Sequence, residues 1–140
     1  MKRIMGLDVG DKTIGVAVSD PLGITAQGIT TIRRKGINND FNELQALIEE
    51  YNVFVVVIGL PKNMNNTIGP QGEKVLKFVE KFKNKFELNV VLQDERLTTV
   101  SAERLLINAD VSRKKRKDVI DKVAATYILD SYLEKNKKGE

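Results

Sequence analysis

Residues 53–61 read VFVVVIGLP, an apolar and mostly β-branched run with no polar alternation. A strand of this kind has two apolar faces and must be covered on both, which is the situation of a buried strand in a parallel sheet. LNVVLQDE at 88–95 makes the same demand. Between the two runs, Pro70 opens a helical pattern with Val75, Phe78, Val79, Phe82 and Phe86 on one face and lysines on the other. Ahead of them, Phe41, Leu44, Leu47 and Ile48 recur at helical spacing. Strands alternating with helices of this length predict an α/β fold with a sheet between helical layers.

The N-terminal third reads differently. Residues 3–9 and 13–19 form two short strands around Gly10-Asp11-Lys12, a hairpin signature. In the first strand Met5, Leu7 and Val9 face one way while Ile4, Gly6 and Asp8 face the other, as expected of a central strand. In the second, Ile14, Val16 and Val18 alternate with the small Gly15, Ala17 and Ser19. Asp20-Pro21-Leu22-Gly23 is a turn, and a third strand around 24–33 completes an antiparallel meander. Thr98 or Thr99 caps a helix carrying Leu105 and Leu106, and a last helix runs from about Ser112 to Leu133. The predicted order is βββαβαβαα: one domain over residues 1–140 with a single five-stranded sheet, residues 134–140 being a polar tail.

The chain of 140 residues contains neither cysteine nor histidine. Disulfides, thiolate nucleophiles, Ser-His-Asp arrangements and the usual zinc ligands are thereby excluded. Catalysis must use carboxylates, lysine, hydroxyls or a metal held by oxygen, and oxygen ligation suits Mg²⁺ or Mn²⁺. A formal charge of +4 favours polyanionic partners. No apolar stretch reaches the roughly 20 residues of a membrane span, and the start lacks a secretion signal, so the expected location is the cytoplasm.

Against this background the placement of three carboxylates stands out. Asp8 interrupts an apolar strand, where an unpaired carboxylate is unfavourable. Asp94 and Glu95 lie at the carboxyl end of the last strand, the edge at which open α/β sheets bind ligands. Asp121 shares a helical stripe with Ala124, Ala125, Ile128 and Tyr132. Carboxylates gathered in a half-buried place repel unless protonated or bridged by cations, and one or two divalent ions account for them economically. The plain alternatives are a turn role for Asp8, a local ion pair at the strand end, and a solvated Asp121 paired with Lys117. Strand alternation sends Asp94 and Glu95 to opposite faces and leaves open which one joins the site.

Taken together, GLDVGDKTIGVAVSD, VVVIGLPKNMNNT, LQDERLTT…AE and KDVIDKVAATYIL resemble the RuvX (YqgF) family of Holliday junction resolvases, also assigned to maturation of the 5′ end of pre-16S ribosomal RNA. The resemblance runs from about residue 3 to residue 133. It implies an RNase H-like fold with sheet order 3-2-1-4-5. It also implies catalytic, metal-holding roles for Asp8, Glu95 and Asp121, and so selects Glu95 over Asp94.

The remaining polar segments suit a nucleic-acid partner, structured RNA or branched DNA, including ribosomal precursor particles. Lys62, Asn63 and Asn65 follow a strand's carboxyl end and can reach a backbone phosphate. Arg96 can meet a phosphate through its bidentate fork. Arg113, Lys114, Lys115, Arg116 and Lys117 form a run of cations just before Asp121, placed to hold a polyanion. The expected function is metal-dependent hydrolysis of phosphodiester bonds, foremost at the 5′ end of pre-16S ribosomal RNA. Resolution of branched DNA is the second reading, and a catalytically silent nucleic-acid-binding module the third. A phosphotransferase of the actin and sugar-kinase type also begins with a strand carrying Asp-x-Gly. It needs two such domains, and no second glycine-rich phosphate hairpin is present.

Overall fold

The computed structural model describes residues 2–63, 65, 67–94 and 113–138, with side chains in the last stretch from 122 to 136. The elements are β1 (Arg3–Val9), β2 (Thr13–Ser19), β3 (Ala26–Arg33), α1 (Ile37–Glu50), β4 (Val53–Leu60), α2 (Pro70–Lys85), β5 (Asn89–Asp94) and α3 (Arg113–Lys138). The strands form one sheet in the order β3-β2-β1-β4-β5. β1, β2 and β3 pair antiparallel, whereas β1, β4 and β5 are parallel. The anticipated helix around Leu105 and Leu106 lies outside the described residues.

The two faces of the sheet differ in side-chain size. Met5, Leu7, Ile14, Val16, Val18, Val56 and Ile58 form the larger core with α1 and α2. Phe41 of α1 meets Phe78 and Phe82 of α2, and Phe86 just after it, edge-on, with centroids 5.5–6.0 Å apart, and so joins the two helices. On the other face α3 lies on small residues. Gly6, Ala17 and Gly28 are paired in one row across β1, β2 and β3. A Cβ on Gly6 would stand 2.8 Å from Leu129 Cβ and 3.0 Å from the Ala125 carbonyl. The helix therefore sits closer than a row of alanines would allow. Gly6→Ala is expected to destabilise the protein by about 1–3 kcal/mol through overpacking, which urea unfolding will measure.

Two boundaries differ from expectation. β3 starts at Ala26 because Asp20 organises the preceding segment: Asp20 Oδ1 accepts the N–H groups of Thr25 at 3.0 Å and Ile24 at 2.6 Å. These bonds, that of Thr25 foremost, hold the Asp20 carboxyl below its usual range. α3 continues to Lys138, so the first five residues of the polar tail are helical. No proline or glycine intervenes before Gly139, and lysine and glutamate are good helix formers. Among the described residues no helix is long and apolar enough to cross a membrane.

Candidate active site at the carboxyl edge of the sheet

Asp8 is the penultimate residue of β1, the central strand, and lies on the α3 face with Gly6. Its Cα partner on β2 is Gly15. On β4 the register Leu7↔Ile58, carried one step, brings Gly59 alongside. The half-buried carboxylate is thus flanked by residues without side chains on both neighbouring strands. Among the described residues it has no hydrogen-bond or ion-pair partner.

The turn reading of Asp8 is therefore not what the structure shows. The β1–β2 turn is closed by other groups, with Gly10 N–H donating to the Thr13 carbonyl at 2.8 Å. Arg34 adds three bonds around it: backbone N–H to the Lys12 carbonyl, Nη1 to the Gly10 carbonyl, and Nε to Asp40 Oδ2, each 2.9 Å. Its guanidinium lies 5.6 Å from the Phe78 ring centroid. Asp40 is fully buried and also accepts the Lys35 N–H at 3.1 Å. Gln71 Nε2 donates to the Val9 carbonyl at 3.4 Å. Arg34, Asp40 and Gln71 brace the chain just beyond Asp8, and sequence reasoning overlooked all three. Asp40 carried a readable signal, since it falls four residues before Leu44 on the apolar side of its helix.

α3 runs antiparallel to β1. Leu133 and Asn136 share a cavity with Lys2 and Ile4 at the start of the strand, whereas Ala125 and Leu129 meet Gly6. One turn before Ala125, about 6 Å along the axis, is position 121. Two residues past Gly6, about 6.6 Å along the strand, is Asp8. The two backbone positions advance from one meeting point toward the same edge. The side chains of Asp121 and of Arg113 to Lys117 lie outside the described residues, as do Glu95 and Arg96 entirely. Asp94 ends β5 at the same edge, paired with Leu60. It has the parity of Val90, which packs on the α1/α2 side, while Val91 packs on the α3 side. Asp94 thus belongs to the face opposite Asp8. Among the described residues no three acidic side chains cluster.

The loop after β4 is knitted internally. Asn63 Nδ2 donates to Thr67 Oγ1 at 3.0 Å, and Thr67 Oγ1 donates to Asn65 Oδ1 at 2.6 Å. Both amides are partly engaged in holding the loop, leaving Lys62, half-buried at its start, as the cation of this segment.

A mixed sheet in the order 3-2-1-4-5, covered by helices on both faces, places the chain in the RNase H-like class. Within that class the chain belongs to the RuvX family, described as Holliday junction resolvase, which matches residues 2–135. Similar chains named "Putative pre-16S rRNA nuclease" come from Clostridium kluyveri, 60% identical over 97% of this chain and 99% of that one, and Desulforamulus reducens, 62% identical over the same shares. A third, from Clostridium acetobutylicum, is 63% identical over 94% of this chain and 97% of its own. Among solved structures, T. thermophilus RuvC with a Holliday junction substrate shares the fold at a TM-score of 0.57, with 12% identity over 98% of this chain and 96% of that one. The Fowlpox virus resolvase with Holliday junction DNA does so at 0.54, with 17% identity over 96% and 98%.

Proposed function

We propose that this chain, as a single domain, is a metal-dependent nuclease that trims the 5′ end of pre-16S ribosomal RNA in the cytoplasm. The observation that carries the chemistry is Asp8: a half-buried carboxylate, without a partner among the described residues, between two glycines at the ligand-binding edge of the sheet. A carboxylate donor flanked by glycine on the neighbouring strands fits Mg²⁺ or Mn²⁺. Asp8, Glu95 and Asp121 would hold the ion, and the converging advance of β1 and α3 supports the pairing of Asp8 with Asp121. When bound, such an ion supplies Lewis-acid stabilisation of charge on the scissile phosphate. The chain's own residues orient the substrate: Arg96 and Lys62 toward phosphate oxygens, and Arg113 to Lys117 along the flanking backbone. Asn63 and Asn65 fix the loop that presents Lys62 and offer their remaining amide groups.

The choice of ribosomal RNA rests on the names of relatives about 60% identical over nearly the whole chain. The family description favours a second reading, symmetric cleavage of a four-way DNA junction. Two symmetric cuts require two sites related by a twofold axis, whereas trimming one RNA end requires one. The test is Mg²⁺- or Mn²⁺-dependent cleavage of a precursor particle beside a four-way junction, with light scattering of the protein alone and with each substrate. Single cuts in RNA by a monomer are expected. A dimer making paired nicks in the junction would overturn the preference.

Neutralising Arg113, Lys114, Lys115, Arg116 and Lys117 to glutamine is expected to weaken binding regardless of sequence. The log-log salt slope should flatten by about 0.7–0.9 for each phosphate no longer neutralised. Titrations across a salt series will read this, and an unchanged slope would make the run a solvated face.

A further inference from the structure

One charged surface is left unused by this reading. On α2, Lys74, Lys77, Lys81 and Lys85 follow at steps of three and four residues, so they make one exposed stripe. The stripe borders two depressions of about 210 and 340 Å³ that share Ile37 and Lys81 and so form one groove between α2 and the first turn of α1. Its floor is Ile37, Phe41 and Phe78.

The charge in this groove is unbalanced. Arg34 is neutralised by buried Asp40, and Lys74 meets the exposed Asp11 at 3.1 Å. Among the described residues Lys77, Lys81 and Lys85 have no ion-pair partner, although Glu73 and Glu80 lie on the same helix. Among the described residues that line the two depressions, Asp11 is the sole acidic one. From Lys74 to Lys85 the stripe spans about 16 Å at the helical rise. That is about five base-pair steps of axial rise at 3.4 Å each, along which Lys77, Lys81 and Lys85 can meet up to three phosphates.

Its position links it to the active edge. The groove opens at Asp11 and Arg34, and Arg34 holds the carbonyl of Gly10, two residues beyond Asp8. From there it runs down the face opposite α3. A nucleic acid cut at Asp8 would then meet cations on both faces of the sheet, those preceding Asp121 on one and the α2 stripe on the other.

We propose that the groove between α1 and α2 is a phosphate track that holds the sugar-phosphate backbone of a nucleic-acid arm leading away from Asp8. The inference rests on the nuclease reading and names where the distal part of the substrate lies. Recognition is by backbone charge, since the floor aromatics among the described residues, Phe41 and Phe78, are buried and offer no face for base stacking.

The test is the full-length Lys77→Gln, Lys81→Gln, Lys85→Gln variant in an Asp8→Asn background, which keeps bound substrate intact. Glutamine preserves helix propensity and most of the lysine stem. Affinity is measured across a salt series for an RNA hairpin of about 20 base pairs and for one of about 4, too short to span both the edge and the groove. For the long hairpin the log-log salt slope should fall by about 2, from up to three phosphates set free at about 0.7–0.9 each, with no change for the short one. An unchanged slope on the long hairpin, or an equal decrease on both, overturns the track. Binding of polyglutamate as tight as the long hairpin, abolished by the same substitutions, would assign the groove to an acidic protein instead. If the unmodified chain cuts no nucleic acid, the nuclease reading fails, yet the slopes still decide the track. If it cuts and the slopes do not move, the track fails alone.

Discussion

Asp8→Asn is expected to lower the cleavage rate by about a thousandfold or more while leaving the fold intact. The substitution keeps shape and volume and removes the charge that would hold a divalent ion. Loss of several kcal/mol of transition-state stabilisation corresponds to about three decades in rate. Because the Asp8 side chain makes no ion pair or hydrogen bond among the described residues, its replacement breaks no native side-chain bond there. The melting temperature should stay constant or rise slightly as an unpaired half-buried charge is removed. Rate assays in saturating Mg²⁺ and thermal melts of both proteins will separate the two effects. Residual activity within tenfold of the parent, or full activity in a chelator, would remove Asp8 from the chemistry.

The largest effect on stability is expected at Asp40, far in sequence from any proposed catalytic group. It is fully buried and bound to Arg34 Nε and the Lys35 N–H. Asp40→Ala would leave the Arg34 guanidinium without its counter-charge and the Lys35 N–H without its acceptor. Removing one partner of such a pair destabilises by about 3–5 kcal/mol. With the Arg34 side chain still 23% exposed, the lower end of that range is expected. For a domain of this size the melting temperature should fall by about 10 °C or more. Calorimetry on Asp40→Ala and on the double variant Arg34→Met, Asp40→Leu checks the cause. The double variant should recover most of the stability, because nothing charged is then stranded.

The reading of the sheet from sequence succeeded where hydrophobic pattern and burial coincide. Met5, Leu7 and Val9 against Ile4, Gly6 and Asp8 described a two-faced strand, and β1 is the centre of the sheet. The alternation of Ile14, Val16 and Val18 with Gly15, Ala17 and Ser19 already contained the difference between a bulky face and a close-packed one. The pattern was silent wherever a side chain acts on a distant backbone. Arg34 read as an ordinary charged residue ahead of a helix, and only the tertiary structure brings it to the Gly10 turn, whereas the signal of Asp40 on the apolar side of its helix went unread. At the proposed site, Asp8 drew notice because a carboxylate in an apolar strand contradicts its surroundings, and the structure adds its half-buried place opposite Gly15. Asp94 and Glu95 were not separable by alternation alone. The parity of Val90 and Val91, seen against the two helical layers, assigns Asp94 to the face away from Asp8. The start of β3 was misplaced because Asp20 captures the Thr25 and Ile24 N–H groups, a local bond that propensity does not register.

The pairing of Gly6 with Ala125 and Leu129 also has a temporal consequence. These residues are roughly 120 positions apart, a long loop to close, so their meeting belongs to the late and slow class. A chain emerging from the ribosome can assemble β1 to β5 with α1 and α2 while Ile4, Ala17, Val55, Val57 and Val91 still face water. Only when α3 arrives is that apolar surface hidden, and the same event brings position 121 over the edge that holds Asp8. Newly made protein is therefore at its most adhesive until its last helix docks.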